Sequence, residues 1–207
     1  KQKSIKRFCE EHKFGQDLVI PFLRKSIEFT KKGTVALIFN TKVLTNTEGP
    51  FQNFRKWLFK ENFVEKIYNF SIFRKPPKSF GGQLFTSAVG PVSIIFYQKN
   101  NPTNPTSTLE YWAPRTYVKN NLVEGVVIDS TEIKFLPRNE CEKPDSKIWK
   151  IAMWGSMEDF ILIEKFKQNF SNLKFYLNKF GIKNGVGFQL LTNKNDNPIK
   201  DEKLANL

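Results

Sequence analysis

Apolar positions along the chain change their spacing several times, and each change marks an element. Leu18, Phe22, Leu23 and Ile27 recur at helical intervals behind Asp17, a helix-capping residue type, and Gly33 follows Lys31 and Lys32 as a stop. A helix is therefore expected to start at Asp17, with Pro21 in the first turn, where a missing N–H costs little. "TVALIFN", residues 34–40, is a continuous apolar run of strand length and predicts a central strand buried on both faces. "PFQNFRKWLFKEN", residues 50–62, places Pro50 in a helix-opening position and sets Phe51, Phe54, Trp57 and Leu58 on one stripe. Alternation returns in "FVEKIYNFSIF" and again in "VSIIFYQ", residues 92–98. This order of helix, strand, helix, strand, loop and strand predicts a layered α/β sheet whose last two strands, joined without a helix, run antiparallel. Residues 1–15 are polar without periodicity, as expected of a segment cut from something longer.

"KNNPTNPTST", residues 99–108, with two prolines among small polar residues, is the best boundary in the chain. Beyond it "EGVVIDSTEIKFLP" alternates like one partly exposed strand. "WKIAMWG" leads into "SMEDFILIEKFK", where Ser156 and Asp159 have the spacing of a capping box, and "NLKFYLNKFG" is a second amphipathic stretch that stops at Gly181. "GVGFQLL" reads as a strand or the opening of a further module. Two units are expected, 1–100 and 101–207.

Composition narrows the function more than the fold. Hydrophobic residues at 40% and charged residues at 26% exclude general disorder, and no apolar run reaches the roughly 20 residues a spanning helix needs. Cys9 and Cys141 have no metal-type spacing and suit a reducing cytoplasm; the single histidine, His12, leaves no multi-histidine metal site and reads as a surface residue. The net charge of +13 makes nucleic acid the leading partner, with compositional bias toward Lys, Asn and Phe as the rival explanation. No G-x-G-x-x-G, Walker, H-E-x-x-H or G-x-S-x-G motif occurs, and "FGGQ" and "GVGF" are explained by ordinary turns.

One stretch combines charge with flat side chains. "YNFSIFRKPPKSFGGQLF", residues 68–85, interleaves aromatics with Arg74, Lys75 and Lys78, and it sits at one end of the sheet because it links two strands. Basic groups of this kind neutralise phosphates and aromatic faces stack on exposed bases. The bland alternative makes Phe70, Phe73 and Phe80 core residues and the lysines solvated ones.

The succession "QDLVIPFLRKSIEFTKKG", "TVALIFNTKVL", "FRKWL", "FVEKIYNF" and "LFTSAVGPVSIIFYQK" resembles the second half of the catalytic domain of gamma-type N6-adenine DNA methyltransferases of restriction-modification systems. The resemblance covers residues 16–99. It implies an α/β fold: a partial Rossmann-like methyltransferase sheet with an antiparallel terminal hairpin, followed by a smaller α+β module. Residues 1–100 would be the C-terminal half of the catalytic domain and 101–207 a target-recognition, DNA-binding-like region, with Lys174, Lys179 and Lys183 available to phosphates. The family's aromatic ahead of the final strand, which packs on an adenine turned out of double-stranded DNA, falls on Phe85, in the same stretch as Arg74, Lys75 and Lys78, whose interleaving with aromatics makes them the DNA-binding candidates. The methyl donor implied is S-adenosylmethionine, the partner a restriction endonuclease or specificity subunit, the compartment the cytoplasm. The glycine-rich cofactor motif and the N-P-P-[YF] motif belong upstream of residue 16 and neither is present, since "NPTNP" follows the last strand. No catalytic, cofactor-binding or metal-ligating residue is therefore assigned, and the segment alone is expected to be inactive. A non-catalytic nucleic-acid-binding module and a basic scaffold are the alternatives.

Overall fold

The structure, a computed structural model, describes residues 2–14, 17–30, 32–74 and 90–183. These form two compact units, Lys1–Ile163 and Glu164–Leu207. The chain opens with helix α1, Gln2–His12, where the sequence pattern predicted none. Its inward side is made by Phe8, Cys9 and His12, of which only the first is a conventional apolar residue, so the helical spacing is disguised. Exposed i,i+4 pairs Lys6–Glu10 and Arg7–Glu11 support the outer side. His12 Nδ1 lies 3.0 Å from the Phe8 carbonyl and its ring stacks on Phe8 at 4.3 Å, a helix-end role.

Helix α2, Val19–Ser26, continues as a 3₁₀ turn over Ile27–Phe29. Asp17 accepts the Val19 N–H through Oδ1 at 3.1 Å, as its capping character predicts, and Gly33 takes φ +108°, open to glycine without strain. The buried stripe is Ile20, Leu23 and Ile27; Leu18 and Phe22 are instead 66% and 63% exposed, so the expected apolar face is turned by part of a helical turn. After strand β1, Val35–Asn40, come the single turn α3, Lys42–Thr45, and α4, Gly49–Glu61. Phe51, Phe54 and Leu58 of α4 are buried, as the sequence stripe predicted.

Strands β2, Phe63–Asn69, and β3, Val92–Gln98, follow. Then come β4, Thr108–Trp112; the small hairpin of β5, Thr116–Lys119, and β6, Glu124–Val127; and β7, Ile133–Pro137. The expected single strand from Glu124 is thus two, split where Asp129 and Glu132 close a capping box around a 3₁₀ turn and force the chain to bend. Helices α5, Arg138–Cys141, α6, Lys147–Trp154, α7, Met157–Asn169, and α8, Leu173–Lys179, complete the described chain. Before α7, Asp159 Oδ2 accepts from the Ser156 N–H at 2.7 Å while the Asp159 N–H reaches Ser156 Oγ at 3.3 Å: the predicted capping box is present.

Five strands form one sheet in the order β1-β3-β2-β4-β7. Because β3 is antiparallel to both β1 and β2, those two are parallel to each other, and β3 is inserted between them. The predicted antiparallel pairing of β2 with β3 is therefore present, and the sheet continues beyond it: β4 pairs parallel to β2 and β7 antiparallel to β4. The proline-bearing loop at 99–108 links two members of one sheet.

The buried core lies on one side of that sheet, where Val35, Phe39, Val64, Ile67, Ile95, Tyr97, Leu109, Tyr111 and Leu136 meet Leu23, Phe54, Leu58 and Trp149 from the helices. Cross-strand register puts Ile38, Ile94, Tyr68, Trp112 and Ile133 in a row on the other side. These stay half-buried or exposed, Ile38 at 59%. The expectation that β1 is buried on both faces is corrected by this arrangement: among the described residues β1 pairs along one edge only and is covered on one face only.

Candidate functional site at the carboxyl ends of the strands

The pairing directions bring the carboxyl ends of β1, β2 and β4 to the same edge of the sheet as the first residue of β3. In open α/β sheets this edge is where ligands are received, because the loops that leave parallel strands diverge there. The chain leaves the edge after the 3₁₀ turn Ser71–Arg74 and returns at Gly90. Both roots are tied into the sheet: the Phe70 N–H donates to the Val92 carbonyl and the Thr41 N–H to the Pro91 carbonyl, each at 3.0 Å. A Cβ on Gly90 would come 2.5 Å from Asn40 Nδ2, so the returning root runs against the Asn40 side chain at the end of β1.

Beneath the roots lies a buried polar network drawn from four strands or their ends. Thr41 and Ser93 share a hydroxyl–hydroxyl hydrogen bond of 2.7 Å. Ser71 Oγ reaches Thr41 Oγ1 at 3.0 Å and also contacts Asn69 Oδ1, which accepts the Ser71 N–H at 2.9 Å. The Asn69 amide donates to the Tyr111 hydroxyl at 2.5 Å. All five residues are buried, and burial pushes the Tyr111 hydroxyl pKa above its ordinary value, which keeps it protonated. Such a chain of satisfied groups is stiff, since breaking any link leaves a buried polar atom without its partner. No motif in the sequence marks these five residues. Ser93 and Asn69 interrupt the inward period set by Ile95, Tyr97 and Ile67, and polar residues at inward positions were the available signal.

The residues singled out from the sequence fall as follows. Arg74 is exposed at the end of the 3₁₀ turn, next to the departing root, whereas Phe73 beside it is buried in the core. Phe70 is half-buried, with its ring 6.4 Å from that of Phe73. Lys75, Lys78, Phe80 and Phe85 lie outside the described residues. In the second unit Lys174, Lys179 and Lys183 are exposed, alongside the exposed rings of Phe166, Phe170, Phe175 and Phe180.

Two buried cations support the frame. Arg55 donates to the carbonyls of Val43, Asn46 and Pro144 at 3.0, 2.6 and 2.7 Å, and burial lowers its pKa without removing its charge. The Lys134 ammonium donates to the Ala152 carbonyl and the Arg115 guanidinium to that of Trp154, so both serve the carboxyl end of α6. Burial, with the nearby Arg115 charge adding to it, pushes the Lys134 pKa down to about 8.

Residues 1–74 match the family described as Eco57I restriction-modification methylase. The match covers 74 of the 207 residues, and over that stretch the sequence is similar to the restriction-modification methylases. The matched stretch contains β1, α4, β2 and Arg74, and hence half of the strand-end edge. Among solved structures the chain is similar to the type IIG restriction endonuclease BpuSI, at 14% identity and a TM-score of 0.44, over 84% of this chain and 21% of that one. It is also similar to the type I restriction enzyme EcoKI M protein, at 16% identity and 0.37, over 47% of this chain and 19% of that one. A third likeness is to the type I restriction-modification methyltransferase subunit from Streptococcus thermophilus, at 16% and 0.32, over 65% and 25%. The chain thus spans a quarter or less of these proteins. No curated protein matches the sequence.

A methylase of this family implies S-adenosylmethionine as donor. The described residues do not fit that molecule on their own: Gly33, Gly49, Gly90, Gly125, Gly155 and Gly181 include none that turns the chain from the end of a strand directly into a helix. No cluster of three or more metal-ligating side chains occurs among the described residues either. Nor is any described helix long and apolar enough to cross a membrane.

Proposed function

We propose that residues 1–207 form a C-terminal portion of an adenine-specific DNA methyltransferase of a restriction-modification system, acting in the cytoplasm. The observation that carries this reading is the insertion of β3 between the parallel strands β1 and β2, within and next to the stretch that matches the methylase family. This topology brings both roots of the segment bearing Phe85 to the carboxyl edge. An enzyme that modifies a base inside a duplex must extract it, and the extracted ring needs an apolar surface to replace its lost stacking. Phe85 supplies that surface, and Arg74, Lys75 and Lys78 hold the adjoining phosphates.

The cofactor and the groups that grip the adenine amino group belong to another part of the same enzyme, preceding residue 16. The unpaired edge of β1 among the described residues suits a sheet that continues there. S-adenosylmethionine supplies the methyl group; the residues of this chain receive and orient the base and exclude water from its lower face. The functional division falls after residue 100, with 101–207 beginning a target-recognition region even though β4 and β7 extend the same sheet. There the exposed Lys174, Lys179 and Lys183 contact phosphates, and a restriction endonuclease or specificity subunit is the protein partner.

The test is methyl transfer by the complete enzyme from labelled S-adenosylmethionine into unmethylated bacteriophage DNA, followed by digestion to nucleosides. Label in N6-methyladenine supports the proposal. Salt-dependent DNA binding with no transfer replaces it with a non-catalytic nucleic-acid-binding module.

A further inference from the structure

The network under the strand ends has one feature that ordinary packing does not require. Thr41 stands at the amino end of α3, where a threonine hydroxyl normally accepts an N–H of its own helix, yet its side chain makes no such cap. The hydroxyl turns sideways to Ser71 and Ser93 instead. The Thr41 N–H meanwhile holds the Pro91 carbonyl, and Asn69 and Ser71 are bonded to each other directly before the departing root. Thr41 is therefore the junction at which the end of β1, the end of β2 and the start of β3 are held in one arrangement. Two of the members, Asn69 and Ser93, take inward positions that Ile67, Ile95 and Tyr97 fill with large side chains on the same strands.

We propose that Thr41, with Ser71, Ser93 and Asn69, is a positioning cluster that fixes the spacing of the two chain roots at the carboxyl edge and thereby sets the geometry with which the enzyme receives the extracted base. This rests on the reading of the edge as the base-receiving site. The cluster touches neither cofactor nor DNA, being buried; it acts through the backbone at Phe70, Pro91 and Val92. Thr41→Val replaces the junction hydroxyl with a methyl of the same size, and Thr41→Ser retains the hydroxyl.

In the complete enzyme, with unmethylated bacteriophage DNA as substrate, Thr41→Val is expected to lower kcat/KM for DNA about tenfold while the dissociation constant for S-adenosylmethionine stays within twofold; Thr41→Ser restores turnover to within about twofold of the parent. Ser93→Ala, which removes a hydroxyl and adds nothing, gives a second reading should Thr41→Val fold poorly, and fold is judged from the thermal midpoint and near-ultraviolet dichroism. A folded Thr41→Val or Ser93→Ala enzyme with a lowered thermal midpoint and unchanged kcat/KM overturns the proposal, since that is how a purely structural network behaves. Phe85→Ala run in parallel separates the two ideas. If it loses turnover while both network variants keep theirs, the positioning role fails and the base-receiving site stands; if it keeps full turnover, both fall.

Discussion

The two faces of the sheet are made from the same strands and behave differently. One packs Ile67, Ile95, Tyr97, Leu109 and Tyr111 against helices; the other shows Ile38, Tyr68, Phe96, Trp112 and Phe135, which stay half-buried or exposed. Tyr68 meets Phe96 edge-on at 5.1 Å and Trp112 at 4.6 Å, while Phe135 stays 57% exposed. Strand alternation places half the side chains on each side, yet among the described residues only one side has helices packed on it. Apolar content therefore shows where a sheet is meant to be covered, and burial shows where this part of the molecule covers it.

The comparison is sharpest in stability. Ile95→Ala, on the covered face, is expected to cost about 4 kcal/mol through lost burial and a residual cavity. Urea unfolding of residues 1–207 measures it. Arg55→Leu comes next at about 3 kcal/mol, because the carbonyls of Val43, Asn46 and Pro144 lose their donor. A loss under 1 kcal/mol would mean that solvent reaches those carbonyls and that this side is less closed than described.

Lys134 shares the covered face, and its effect depends on pH. Its pKa falls from 10.5 unfolded to about 8 folded, so between those values the unfolded chain binds more protons and stability rises with pH. The penalty for the buried charge is fully present below pH 8. Tyr97, Tyr111 and Cys141, whose pKa values are raised by burial, act in the opposite direction in alkali, so the Lys134 contribution is read as the difference between the parent and Lys134→Met. That difference should amount to about 2 kcal/mol in favour of the parent between pH 8 and 10.5. A flat difference would show that Lys134 is solvated.

The smallest effect belongs to the other face. Ile38→Lys should change the stability of residues 1–207 by less than about 0.5 kcal/mol, as exposed substitutions do. A loss of 2 kcal/mol or more there would erase the distinction between the faces.

How much of this was legible in the sequence depended on what each side chain does. The stripe of α4 and the alternation of β2 and β3 were legible because Phe54, Leu58, Ile67 and Ile95 are apolar and buried. Helix α1 was not, because Cys9 and His12 share its inward side with Phe8 and most of the other residues are polar or charged. β1 looked central because apolar runs signal burial without saying by what; among the described residues Ile38 stays 59% exposed. The polar network was hidden because Thr41 stood in a stretch of loop composition, and the significance of Ser93 and Asn69 appears only when the register brings them together. Arg74 could be placed beside the departing root, while Lys75 and Lys78 rest on the interleaving of charge with aromatics and Phe85 on the family resemblance.

The most direct measurement of the central claim is methyl transfer by the complete enzyme carrying Phe85→Ala, with labelled S-adenosylmethionine and unmethylated bacteriophage DNA. Loss of base stacking predicts kcat/KM for DNA reduced by about tenfold or more, with cofactor affinity within twofold of the parent. Equal turnover by the two enzymes would contradict the assignment of the strand-end edge as the place where the base is received.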